Sequence, residues 1–165
     1  MAKDHLRVEA YGAVDELNAV LGVALARTAH EDIRDLVGSI QATLLDLGAY
    51  LSAPDAERRE KSGVREPSEA EVEALEARID ALQGELEPLR QFVLPGGTPV
   101  AAAFHLARTV CRRAERRAVS LDREVPLEAP ALRYLNRLSD LLFVLARVEN
   151  RRAGVADQVW AGRKR

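Results

Sequence analysis

A chain of 165 residues, 47% hydrophobic and 30% charged, is long enough to bury a core and too apolar to stay disordered. Its 24 basic and 26 acidic residues leave a net charge of −2, which excludes a whole-molecule field that would draw it onto nucleic acid or a lipid surface. A single cysteine excludes an intrachain disulfide, and no apolar run reaches the roughly 20 residues a membrane-spanning helix needs.

Aromatic residues make up only 4%, so the core must be built from Leu, Ala and Val, which favours helices over sheets. The first expected helix runs from about Arg7 to Thr28, with Val14, Leu17, Leu21 and Leu25 on one stripe. The second runs from about Asp32 to Leu51, carrying Ile33, Leu36, Ile40, Leu44 and Leu47. A charged, glycine-containing loop is expected from Glu57 to Pro67. Ser68 and Glu71 have capping-box spacing and open the third helix, whose narrow seam of Val72, Leu75, Ile79, Leu82 and Leu86 places it on the outside of a bundle. Two glycines and two prolines in Phe92-Val-Leu-Pro-Gly-Gly-Thr-Pro99 stop any helix there. Thr98 can then cap a fourth helix with Pro99 in its first turn, running to about Leu121. Pro126 and Pro130 punctuate the connection to a fifth helix from about Ala131 to Arg152, with Gly154 as its stop. The expectation is an all-α, single-domain five-helix bundle spanning residues 1–165, without internal repeats.

Chemistry concentrates on the fourth helix. At about 100° per residue, Ala107, Val110, Cys111, Ala114, Ala118 and Leu121 form the core arc, while Arg108, Arg112 and Arg116 stack on another arc with Glu115 at its edge. Arg113 and Arg117 point elsewhere. Like charges at i, i+4 repel by a few tenths of a kcal/mol per pair. A bound polyanion or carboxylates on neighbouring elements would offset this, and a solvated basic face is the bland alternative. On the first helix Asp15, near Asn18, is a natural ion-pair partner for one of these arginines, and on the fifth Asn136, Asp140 and Arg147 share a side. Nucleic acid is disfavoured because the chain is net acidic and no aromatic interleaves the arginines. Gly96-Gly97 lacks the Walker A frame, His5, His30 and His105 are scattered, and no zinc spacing or nucleophilic triad is readable.

Four blocks now stand in order: Val8-Glu-Ala-Tyr-Gly-Ala-Val-Asp-Glu-Leu-Asn18, Phe92-Val-Leu-Pro-Gly-Gly-Thr98, Cys111-Arg-Arg-Ala-Glu-Arg-Arg117 and Tyr134-Leu-Asn-Arg-Leu-Ser-Asp140. Together they resemble the trimeric, helical-bundle family of PduO-type ATP:cob(I)alamin adenosyltransferases, over roughly Lys3 to Arg152. The resemblance implies a homotrimer with ATP bound in clefts between subunits and cobalamin as second substrate. It implies that Arg112 and Arg116 grip the Mg²⁺-bound phosphates, with Arg113 as a further contact and Glu115 beside the metal. Asn136 and Lys3 would contact the nucleotide, Asp15 and Arg108 would pair across the subunit boundary, and Phe92 would exclude the lower axial ligand of the corrinoid. A reductase and an adenosylcobalamin-dependent client enzyme are the implied partners, with no nucleic acid and no membrane. A cytoplasmic location is expected, because one cysteine and the absence of an apolar leader in the opening residues fit a reducing compartment.

The family pattern opens with a glycine- and threonine-rich loop around the ATP phosphates. This sequence begins at Met1-Ala-Lys3-Asp4, inside the run that follows that loop. A late start is the expectation. The alternative is a shortened, non-catalytic adenosylcobalamin carrier.

Overall fold

The computed structural model describes residues 2–162. Six helices form among them: α1 (Leu6–Leu25), α2 (Glu31–Ser52), α3 (Ala56–Ser62), α4 (Glu69–Gln83), α5 (Pro99–Asp122) and α6 (Ala129–Arg152). The helix beyond the expected five is α3, inside the stretch expected as a loop. The Asp55 carboxylate accepts from the Arg58 N–H at 2.8 Å, Glu57 pairs with Lys61 one turn on, and Gly63 closes the helix in the left-handed region at φ 68°. Local caps and one ion pair therefore make a single short helix with no buried residue and no apolar stripe to announce it.

The other start signals act as the sequence predicts. Ser68 and Glu71 form both halves of the capping box on α4, and Thr98 Oγ1 accepts from the Ala101 N–H at 3.1 Å with Pro99 in the first turn of α5. Pro130 lies within the first turn of α6 instead of the connection before it, as suits a residue without an N–H. α1 ends at Leu25 and not at Thr28, because Thr28 turns inward to donate its hydroxyl to Glu149.

α5 packs between α1 and α6, α2 lies on α1, and α4 covers α6. Leu17, Leu21, Leu44, Leu47, Phe104, Leu135, Leu138, Leu142 and Leu145 are buried between them, each contributing about 1.5–3 kcal/mol relative to exposure. Arg7 is buried too. Its guanidinium donates to the carbonyls of Leu51 (2.8 Å), Ala53 and Pro54 (3.1 Å), so it satisfies the carbonyl end of α2. Arg152 clamps α6 to Asp32 of α2 and to Glu85 beyond α4 at 2.7–2.9 Å.

After α6 the chain turns back along the loop that precedes α5. Val93 and Val159 form an antiparallel bridge, in which the Leu94 N–H donates to the Gln158 carbonyl at 2.7 Å and the Trp160 N–H to the Phe92 carbonyl at 2.8 Å. Arg147 fastens this tail. Buried at 9% exposure, it donates from Nε to Asp157 Oδ2 at 2.8 Å and from Nη2 to the Glu87 carbonyl at 2.8 Å. No helix among the described residues is long and apolar enough to cross a membrane.

Candidate functional site

The loop ahead of α5 is set by a side chain from α6. Asn150 is 2% exposed; its Oδ1 accepts from the Thr98 N–H at 2.9 Å and its Nδ2 donates to the Gly96 carbonyl at 3.1 Å. Gly97, at φ 101°, lies against that amide so closely that a Cβ would stand 2.5 Å from Asn150 Cγ. Glycine is required there on both counts. Phe92, at the far end of the loop, is 79% exposed, and its ring lies 6.4 Å from that of Trp160 at 60°.

Along α5 the residues of the core arc are all buried. The arginines divide by face. Arg113 is ion-paired with Glu16 and Arg117 with Glu9 at 3.3 Å, so both are answered by α1. Arg112 and Arg116 are exposed. Arg108 is half-buried, its guanidinium 5.9 Å from the centroid of Phe143 on α6. Burial, and then repulsion from Arg112, lower its pKa, so the column is electrostatically strained from within. Glu115, at the column's edge, is half-buried and accepts from Asn136 Nδ2 at 2.9 Å.

Glu115 and Asn136 line a hollow of about 480 Å³ between α4, α5 and α6, together with Glu69, Glu73, Glu76 and Arg137. A neighbouring hollow of about 580 Å³ is lined by Asp140 and Phe143. Another, of about 400 Å³, lies behind the tail between Leu89, Arg147, Asp157 and Val159 and contains none of the column's residues. The core side of α5 is inert: Cys111 is fully buried, its thiol donates to the Leu135 carbonyl at 3.2 Å, and burial pushes its pKa far up.

The structure thus brings Arg108, Arg112, Arg116, Glu115 and Asn136 together on one face. Arg113 is carried away from that face to Glu16. Asp15 is exposed on α1, lining a hollow of about 280 Å³ shared with α2, and Arg108 lies against α6; the two are not paired within one chain. Lys3 is exposed on the turn before α1. Arg147 does not join Asn136 and Asp140, as its spacing suggests, but holds the tail. Sequence reasoning missed the roles of Asn150, Asp157 and Trp160. The one available signal was the Gly96-Gly97 pair, since such a turn needs a partner pressed against it.

The sequence matches the family described as cobalamin adenosyltransferase over residues 1–149. The chain belongs to the cobalamin adenosyltransferase family. It is 44% identical over 159 residues to the corrinoid adenosyltransferase of Bacillus subtilis, covering 94% of this chain and 80% of that protein. It is 43% identical over 150 residues to the corrinoid adenosyltransferase PduO of Salmonella typhimurium, covering 91% of this chain and 44% of that longer protein. Its fold superposes with a TM-score of 0.91 on a phenylalanine-to-alanine variant of a PduO-type ATP:corrinoid adenosyltransferase from Lactobacillus reuteri complexed with cobalamin and ATP. The two are 34% identical, over 98% of this chain and 90% of that one. This cobalamin adenosyltransferase-family member therefore shares its all-helical fold with a protein solved in complex with cobalamin and ATP.

Proposed function

We propose that the chain transfers the 5′-deoxyadenosyl group of ATP to cob(I)alamin, giving adenosylcobalamin and triphosphate. The observation that carries this reading is the arginine column on α5. Arg113 and Arg117 are paired with α1, while Arg112 and Arg116 are exposed, with Arg108 half-buried in the same column, beside the Glu115–Asn136 pair. A polyphosphate would relieve that unanswered charge through charge-assisted hydrogen bonds of about 1.5–3 kcal/mol each.

The chemistry needs no protein nucleophile. Reduced cobalt attacks C5′ of ATP, the C5′–O bond breaks, and the electron pair leaves with the triphosphate. The protein must hold C5′ in line with cobalt and stabilise charge on the leaving group. Arg112 and Arg116 serve the second task, and Asn136 orients the nucleotide through the amide that also bonds Glu115. Phe92, exposed at the loop's end, would lie against the lower face of the corrin and exclude its axial ligand. Arg113 contributes to the local field while bound to Glu16.

No group of three or more His, Cys, Asp or Glu side chains able to hold a metal exists among the described residues. That fits Mg²⁺ carried by the phosphates and water, with Glu115 as a single carboxylate near it. Such an ion would supply further charge neutralisation.

The nucleotide cleft lies between copies in this reading. Asp15 of one chain meets Arg108 of the next in a homotrimer, which is consistent with each being unpaired with the other inside one chain. Lys3 then reaches the nucleotide from the start of α1. A cytoplasmic protein, supplied with reduced corrinoid by a reductase and delivering product to a client enzyme, is the corresponding setting.

An anaerobic assay following conversion of cob(I)alamin to adenosylcobalamin by absorbance tests the proposal. Arg112→Ala lowers kcat/KM by about 10²-fold or more. An unchanged rate overturns the grip. Calorimetry showing corrinoid binding without ATP binding replaces the enzyme by a carrier, and sedimentation at the mass of a single chain overturns the trimer.

A further inference from the structure

Seven buried side-chain polar atoms lack a hydrogen-bond partner among the described residues, and four of them belong to residues that converge on Phe143 and Arg147, one turn apart on α6: both ring nitrogens of His105 and Nε of Arg108 beside Phe143, and Oδ1 of Asp157 beside Arg147. His105 and Arg108 are one turn apart on α5, and Asp157 comes from the tail after α6. Native proteins rarely leave such groups unmet, so a cluster of them has a shared cause.

Their chemistry is complementary in sequence. Arg108 Nε is only a donor, and Asp157 Oδ1 is only an acceptor. His105 is 3% exposed and lies edge-on to Phe143, with ring centroids 6.0 Å apart. Burial first, and then Arg108, lower its pKa, while Asp157 acts in the opposite direction, so the neutral imidazole is favoured. A neutral imidazole offers one acceptor and one donor nitrogen. Arg108 can therefore give its Nε–H towards one ring nitrogen while the other gives its proton towards Asp157, each through a bridging water. Phe143 fixes the arrangement from the side, because it takes the His105 ring edge-on and also lies under the Arg108 guanidinium.

We infer that His105 is a positioning residue, the middle member of a polar relay Asp157–His105–Arg108 that ties the carboxyl-terminal tail to the arginine column. The other oxygen of Asp157 is held by Arg147, so the relay has a fixed far end. Three residues beyond Asp157, Trp160 pairs through its backbone with Phe92. The loop that carries Phe92 and the orientation of Arg108 are then set by one connected structure. The part of this inference that concerns catalysis rests on the transferase reading; the tie itself does not.

Hydrogen exchange on the full-length protein, with no nucleotide or corrinoid present, tests the tie independently of that reading. Trp160 is the chain's one tryptophan, so its emission reports tail docking separately. His105→Phe keeps a ring against Phe143 but removes both polar atoms. It is expected to accelerate amide exchange over residues 157–160 about tenfold and to shift Trp160 emission to the red. His105→Gln, which keeps one donor and one acceptor, is expected to stay within about twofold of the parent. Unchanged exchange in His105→Phe, or equal acceleration in both variants, overturns the relay. Nitrogen-15 NMR of the unmodified protein provides a test that depends on no variant. It is expected to show one neutral tautomer with a slowly exchanging ring N–H, and a charged or freely exchanging ring overturns the relay as well. With the tie in place, His105→Phe raises KM for corrinoid more than it lowers kcat, and His105→Gln restores KM. A parent-like KM in His105→Phe removes the catalytic part alone.

Discussion

Gly97→Ala is the smallest change that tests how the Phe92 loop is held. Its φ of 101° strains any residue with a Cβ, by about 1–3 kcal/mol. The new methyl would also stand 2.5 Å from Asn150 Cγ, inside van der Waals contact. Asn150 is boxed in at 2% exposure, so it can yield only by giving up its bonds to the Thr98 N–H and the Gly96 carbonyl. Two neutral hydrogen bonds at about 1 kcal/mol each bring the expected destabilisation to roughly 3–5 kcal/mol. For a domain of this length that is a fall in Tm on the order of 10 °C. Urea unfolding of Gly97→Ala, Asn150→Ala and the double variant separates the two causes. If the clash matters, Asn150→Ala relieves it, and the double variant is more stable than the sum predicts by about 1 kcal/mol or more. Additivity within about 0.5 kcal/mol, or a loss below about 1 kcal/mol for Gly97→Ala alone, would refute the reasoning.

Arg7→Met leaves three carbonyls at the end of α2 without their donor, so unfolding in urea should show a loss of about 3 kcal/mol; a loss under about 1 kcal/mol means solvent already serves those carbonyls. Cys111 should not react with a disulfide reagent in the folded protein and should give one equivalent after denaturation, because burial keeps it a thiol; rapid native reaction contradicts its placement. Glu71 accepts from Arg65 at 2.7 Å and from the Ser68 N–H and hydroxyl at 2.8 Å, and these bonds lower its carboxyl to about 2. A depressed carboxyl stabilises the fold fully above its unfolded value near 4.5, and that contribution is lost as pH falls from about 4.5 towards about 2. Carbon-13 NMR titration of the Glu71 carboxyl should give a midpoint near 2, and a midpoint near 4 would show that Arg65 and Ser68 do not hold it.

Helical periodicity reached most of the fold because it reports burial directly. Ala107, Val110, Cys111, Ala114, Ala118 and Leu121 sort onto one arc in sequence and are buried in space. It also separated Arg112 and Arg116 from Arg113 and Arg117, which turn to Glu16 and Glu9. What it could not reach were contacts that depend on where a non-helical segment lies. α3 is stabilised by a cap and one ion pair, neither of which has a period. Arg147 shares a face with Asp140 at a spacing of seven, but the tail brings Asp157 to it first. Asn150 and Gly97 are 53 positions apart, and no local pattern announces that a buried amide fills the space a side chain would take. Asp15, which the resemblance pairs with Arg108 across a subunit boundary, is exposed in the single chain, and no helical period reports a partner on another copy.

The backbone pairing of Val93 with Val159 has a practical consequence for anyone handling this protein. Phe92 is 68 positions from Trp160 in sequence, yet a backbone hydrogen bond joins the two. A purification handle or fused fluorescent domain placed just after Gly162 would pull on that pairing, and through it on the Phe92 ring, distant from the point of attachment in sequence. The amino-terminal side of α1 has no such linkage to Phe92 among the described residues. With Phe92 placed against the corrin as proposed, two fusions of equal size, one before α1 and one after Gly162, should leave the protein equally folded and unequally able to seat a corrin.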